Sequence, residues 1–276
     1  MTERKDWRSD PTACIEAACI LEVLAPKVGN VSPVTPFDDL SMDHFFRAAS
    51  AIAPPLGQAG RIGIGRSIHE AVVAMKRAAG TNTHLGTILL LAPLVATSEM
   101  TTGGIDATLG RLTDDDAVAV YDAIRMAAPG GLGGSRKYDV NSEVPQDLLA
   151  AMHEAAERDL IARQYASGFA DILHFVVPRL GRREIPVIPR IVRTHVEMIA
   201  RFGDTLVLRK CGSQVMEEAR SRAREVVRAY ESGCDVDRRL AELDHWLRSD
   251  GHRRNPGATA DLIAAGLFVT LSSGGI

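Results

Sequence analysis

The chain has 276 residues, a formal net charge of −3, 46% hydrophobic side chains and only 5% aromatic ones. Such a length can bury one sizeable core, and Ala, Leu, Val and Ile in place of aromatics suit closely packed helices. The net charge gives no electrostatic reason to expect nucleic acid as a partner, and no stretch approaches the roughly 18 uninterrupted apolar residues of a membrane span.

Apolar residues recur at spacings of three and four from end to end, with almost no strand-like alternation, which predicts an all-α protein. Residues 1–10 are polar and lack the apolar core of a secretory signal. Asp10-Pro11 predicts a helix start, and the helix runs to Leu24 before Pro26 stops it. Lys27 follows in a rigid turn before Gly29, and Glu22-Val23 closes the helix. Asp38, Asp39 and Asp43 form an acidic cluster that either complements a helix start or holds a metal. Ser41 caps a second helix that ends at Pro54-Pro55. Residues 66–79 and 84–100 read as two further helices joined by a turn at Asn82. Thr113 with Asp116 has the form of a capping box for a helix over 114–127.

Residues 129–143 are rich in glycine and read as a mobile lid. Pro145 then opens one long helix to Val177, Pro189 another to Phe202, and helices over 213–231, 235–248 and 256–271 complete the chain. The expectation is a single compact domain, 1–276, of about ten helices with no internal repeat.

Several chemistries drop out. The run Gly130 to Lys137 has the wrong order for a P-loop and no preceding strand. His69-Glu70 begins like a zinc-protease motif, but Val73 stands where the second histidine belongs. Cys14, Cys19, Cys211 and Cys234 match neither a zinc site nor a disulfide framework, so the chain reads as reduced and cytoplasmic. His153, His174, His195 and His245 lie within helices and read as surface or core residues, as the paired arginines 182–183, 238–239 and 253–254 read as solvated helix ends.

What remains are two glycine-flanked helix starts. Asn255-Pro256-Gly257 opens the last helix, with Asp261 one turn inside it; Gly80-Thr81-Asn82-Thr83-His84-Leu85-Gly86 opens another. Asn is a favoured N-cap, and a helix start bare of side chains attracts anions, phosphates above all. Asn82, Thr83, Asn255 and Gly257 are therefore candidate phosphate-binding positions. His84 and Asp261 are the titratable groups placed to act beside them.

Glu22-Val23 with Pro26-Lys27, then Asn82-Thr83-His84, then Asn255-Pro256-Gly257 with Ala260-Asp261-Leu262, in this order, resemble the triphosphoribosyl-dephospho-CoA synthase family. The resemblance extends over roughly 13–271 and includes Glu70 within 63–75 and the stretch Asp204 to Gly212. The family has a second Pro where Val28 stands, and Lys where Leu85 stands. Leu85, Gly29-Asn30-Val31 and 157–165 look more like a branch found in organisms that make tetrahydromethanopterin.

The resemblance implies a transferase that moves the 5-triphosphoribosyl group of ATP to the 2′-hydroxyl of dephospho-CoA, releasing adenine. In the related branch the acceptor would be an intermediate of tetrahydromethanopterin assembly. Small nucleotides would be the partners, with room for a homo-oligomer. The reaction needs cations on the triphosphate, for which Lys27, Arg209 and Lys210, with Gly29 beside Lys27, are candidates. It also needs carboxylates near the reacting ribose, and Glu70, Asp204 and Asp261 are the candidate bases or ligands of a Mg²⁺ ion. All these segments should converge on one cleft, with Lys27 on its rim and Glu70 and Asp204 within reach.

Overall fold

The computed structural model describes residues 6–33, 35–37, 40–128 and 147–276. The lid expected over 129–143 and the acidic residues Asp38 and Asp39 lie outside the described residues. Among those described there are fifteen α-helices and one short strand, Ser249–His252. None of these helices is long and apolar enough to cross a membrane.

Helix α1 (Pro11–Leu24) begins where Asp10 accepts a hydrogen bond from the Thr12 N–H, with Pro11 at the position that tolerates a missing donor. Helix α2 (Met42–Leu56) runs through Pro54 and Pro55 instead of stopping at them. The four-residue α3 (Ala59–Ile62) leads into α4 (Ile64–Ala79), whose buried stripe is Ile64, Ile68, Ala71, Val72 and Met75. Helix α5 (Leu85–Ala96) is apolar on every side and buried along most of its length. Helix α6 (Thr102–Leu109) was not visible in the spacing. Helix α7 (Asp114–Ala127) starts with the expected capping box of Thr113 and Asp116.

The long helix expected from Pro145 is broken into pieces. They are α8 (Leu148–Ala155), α9 (Leu160–Ala166), a π-helical turn (Ile172–Val176) and α10 (Val177–Leu180). Asp159 caps α9 through the N–H groups of Ile161 and Ala162, and Gly168 ends it at φ +57°. A side chain at Gly168 would lie 2.8 Å from the Thr102 carbonyl, so both the turn and the packing require glycine. The extra breaks and short helices explain why the count exceeds ten.

Helix α11 (Val187–Phe202) is followed by α12 (Thr205–Cys211), α13 (Ser213–Ser232), α14 (Val236–Arg248) and α15 (Gly257–Ser272). Helix α15 buries twelve of its residues and packs against α1, α5 and α11, which makes it the axis of the main core. A second, smaller core joins α11, α13 and α14 through Val196, Ile199, Ala219, Ala223, Val226, Leu243 and Leu247, and Val28 extends it to the turn after α1. That turn and the start of α15 are thereby held side by side.

Candidate active site

Helices α5 and α15 begin at the same cavity, of about 720 Å³. Thr83, His84, Gly86 and Thr87 line it from one helix start, and Asn255, Gly257, Ala258 and Asp261 from the other. The two expected starts thus open on one space, although 174 residues separate Thr87 from Asp261.

Asp261 joins them directly. Its Oδ1 accepts hydrogen bonds from the Thr87 N–H at 2.9 Å and the Thr87 hydroxyl at 2.7 Å, so a side chain of α15 caps α5 from outside. Gly86 permits this approach, since a Cβ there would lie 2.2 Å from Asp261 Oδ2. Burial pushes the Asp261 carboxyl up to about 7; the Thr87 hydrogen bonds oppose the rise and the nearby Glu22 adds to it. Among the described residues Oδ2 has no hydrogen-bond partner, and neither do the N–H groups of Gly86 and Ala258 in the two first turns. An anion entering the cavity meets these free donors.

His84, and not the expected Asn82, holds the cap position of α5, but the Asn82 Oδ1 still accepts from the first helical N–H, that of Leu85, at 3.1 Å. Beside it His84 is buried, its Nδ1 2.8 Å from the Thr83 hydroxyl and its Nε2 without a partner among the described residues. Burial lowers its basicity to about 4, so the imidazole is neutral at pH 7, and the ring packs edge-on to Phe45. Asn255 corrects the expectation of a cap. Pro256 holds the cap position of α15, and the Asn255 amide instead accepts from Asn30 at 2.6 Å, tying this helix start to the turn after α1.

Cations border the cavity on the side of α12. Arg209 and Lys210 line it together with Arg158, and Arg209 pairs with Asp159. Phe37 and His252 stack at 5.2 Å between centroids, and Phe45, Tyr121, Ile124, Leu148 and Met152 supply an apolar wall. One cavity therefore offers free N–H donors, guanidinium and ammonium groups, a carboxylate and an apolar surface broad enough for a nucleobase.

Four expected site residues lie elsewhere. Lys27 is fully buried, with Nζ 2.8 Å from Glu22 Oε1 and bonded to the carbonyls of Glu22 and Ala25, so it is no rim cation. Gly29 does not line the cavity, and its N–H donates to Asp244 at 2.7 Å. Asp204 is buried with both oxygens engaged. Its Oδ1 caps α12 at Leu206 and Val207, and its Oδ2 accepts from the N–H and hydroxyl of Thr259. Glu70 stands on another face, paired with Arg66 in a shallow cleft beside Asp115 and Asp122.

The expected Mg²⁺ ligands Asp261, Asp204 and Glu70 therefore do not converge. Among the described residues no three His, Cys, Asp or Glu side chains are grouped to hold a metal ion. Asp43, from the acidic cluster, is an exposed partner of Arg47 at 2.9 Å.

Glu22, Thr87, Asn30 and Arg158 line the cavity without having been singled out for it. For Glu22 the signal was present. It stands three residues after Cys19 and seven after Ile15, on the buried stripe of α1, where a carboxylate needs a reason to be.

The sequence profile of the ATP:dephospho-CoA triphosphoribosyl transferase family matches residues 8–275. The fold is similar to the crystal structure of an Archaeoglobus fulgidus protein provisionally named a triphosphoribosyl-dephospho-CoA synthase. That likeness has a TM-score of 0.66 at 25% identity and covers 82% of this chain and 98% of the other. No curated protein matches the chain.

Proposed function

The chain belongs to the ATP:dephospho-CoA triphosphoribosyl transferase family, and from that premise we propose that it transfers the 5-triphosphoribosyl group of ATP to the 2′-hydroxyl of dephospho-CoA. The observation that carries this reading is the pair of helix starts opening on one cavity with Asp261 between them. The N–H groups of Gly86 and Ala258, with Arg158, Arg209 and Lys210, bind the triphosphate. The apolar wall receives a base, and Asp261 is the proton acceptor.

In the reaction the bond between ribose C1′ and the adenine nitrogen breaks, and its electron pair leaves with adenine. The acceptor oxygen bonds to C1′, its proton passes to Asp261, and the departing adenine takes up a proton in turn. A carboxyl group that titrates near 7 suits this exchange, because it gives and takes a proton at neutral pH. Since the expected metal ligands are dispersed, no step is routed through a metal ion.

Leu85 favours a second reading in which the acceptor differs. It lines the cavity with an apolar side chain where the family motif has lysine, so one phosphate contact is replaced by a surface that suits a less charged molecule. Incubation with ATP and Mg²⁺, with and without dephospho-CoA, separates the two. Adenine release that requires dephospho-CoA supports the first reading, and ATP binding without such release supports the second. In the second case Leu85→Lys should not improve affinity for dephospho-CoA; in the first it should.

A further inference from the structure

Glu22 and Lys27 form a buried pair whose geometry is one-sided. The ammonium of Lys27 is saturated: it meets Glu22 Oε1 at 2.8 Å, the Glu22 carbonyl, and the Ala25 carbonyl at 3.3 Å. All three acceptors come from the end of α1, and the Lys27 side chain has no exposed surface, so no ligand can reach it. Glu22 is used only in part. It lines the cavity, and its Oε2 has no hydrogen-bond partner among the described residues.

Charge counting sharpens the point. Glu22 acts electrostatically on Asp261, and Asp261 accepts only from the neutral donors of Thr87. One buried cation thus faces two carboxylates. The ammonium compensates Glu22, because a buried ion left alone is far less favourable than a pair. When Asp261 also ionises, this group of Glu22, Lys27 and Asp261 carries one negative charge more than its ammonium offsets, on the side of the cavity away from the cations of α12. A reaction that breaks the bond from C1′ to adenine develops positive charge on the ribose, as glycoside cleavage does, and that charge matches it.

We propose that Glu22 is a second catalytic carboxylate and Lys27 its positioning residue. The ammonium pins Oε1, and Oε2 faces the positive charge that develops at ribose C1′ while Asp261 takes the hydroxyl proton. This rests on the transferase reading above. It reassigns the lysine of the Pro26-Lys27 turn from holding phosphate to holding a carboxylate.

The test compares Glu22→Gln, Lys27→Met and the double variant for melting temperature, ATP affinity by calorimetry and rate of adenine release. Each single variant leaves a buried charge without its partner and should lower the melting temperature. The double variant removes both charges at similar volume and should recover it.

The double variant should bind ATP within about threefold of the wild type yet release adenine at least about 100-fold more slowly, as expected for an interaction made mainly in the transition state. Recovery of the rate together with stability would show a merely structural pair and overturn the assignment. A loss of ATP affinity that parallels the loss of rate would also overturn it, since Glu22 would then serve ground-state binding.

Should the double variant fail to fold, Glu22→Asp carries the same test, because it keeps the charge and withdraws it by one methylene. A fall in rate with ATP affinity kept supports the proposal, and an unchanged rate overturns it. Wild-type protein that releases no adenine with any acceptor sinks the transferase reading instead, which separates the two failures.

Discussion

Asp204 and Asp261 make the same contact with opposite outcomes. Each reaches from its own helix to the first turn of another and accepts from both the N–H and the hydroxyl of a threonine, Thr259 for Asp204 and Thr87 for Asp261. In Asp204 the second oxygen position is also used, capping its own helix at Leu206 and Val207. In Asp261 the second oxygen is left over and the side chain lines a cavity. Residue type, burial and partner are shared, so none of them identifies the functional group. What differs is unused hydrogen-bonding capacity facing a space that a ligand can enter.

The sharpest way to break this comparison is to replace both residues by Asn. Asp261→Asn should reduce adenine release by about 100-fold or more with little change in melting temperature, since a general base typically contributes that much. Asp204→Asn should instead destabilise the fold by about 2–4 kcal/mol, because a buried, fully bonded carboxylate loses charge-assisted bonds at two helix starts. Activity per folded molecule should then survive. If both variants lose rate and keep stability, Asp204 belongs to the site and the contrast is wrong.

Acidity offers a second probe. Activity that needs ionised Asp261 should fall as pH is lowered through about 7. Stability should run the other way. The folded carboxyl titrates at about 7 against an ordinary 3.8, so the folded state holds the extra proton between these values. The resulting stabilisation is complete below the ordinary value and is lost as pH rises through about 7. Melting temperatures across pH 4–8 should show this slope in the wild type and a weaker one in Asp261→Asn. A slope unchanged by the substitution would remove Asp261 as its origin.

Gly86 sharpens the comparison from the backbone side. Gly86→Ala would bring a methyl group to 2.2 Å from Asp261 Oδ2 and 2.6 Å from its Cγ. The expected result is about 1–3 kcal/mol of destabilisation together with a clear loss of rate, since the displaced group is the one that acts. Gly103→Ala in α6 is the control. Nothing lies within 4 Å of a Cβ there, and a helical Gly→Ala change into open space should stabilise by about 0.5–1 kcal/mol. Equal rates for Gly86→Ala and wild type would mean that Asp261 is free to move without consequence.

Local chemistry was legible wherever it acts over one turn. The Asp10-Pro11 start, the Thr113–Asp116 box and the bond from the Leu85 N–H to the Asn82 side chain are decided by neighbours within three residues, and all three are present, although His84 and not Asn82 holds the cap position. The convergence of α5 and α15 was legible as a pattern of glycine-flanked starts.

Long-range pairing was less so. A lysine between Pro26 and Gly29 reads as an exposed cation, and only the fold shows it turned inward onto Glu22. Asn255 looks like a cap and is instead an amide held by Asn30, 225 residues away. The break after α9 depends on Gly168 fitting against the Thr102 carbonyl, a contact no periodicity records.

Glu70 was misread although the information was there. The buried stripe of α4 is Ile64, Ile68, Ala71, Val72 and Met75, and a residue two places after Ile68 falls off that stripe. Its side chain is 43% exposed and meets Arg66 at 2.8 Å in an i,i+4 pair. Such a pair on a solvated face is worth only about 0.3–0.5 kcal/mol, because water already solvates both ends and salt screens them. Glu70→Gln should therefore leave the rate of adenine release unchanged and shift the melting temperature barely measurably, the smallest effect in this set. A large loss of rate would mean that the cleft beside Asp115 and Asp122 takes part in the reaction, and that the carboxylates of this protein act from two faces and not from one cavity.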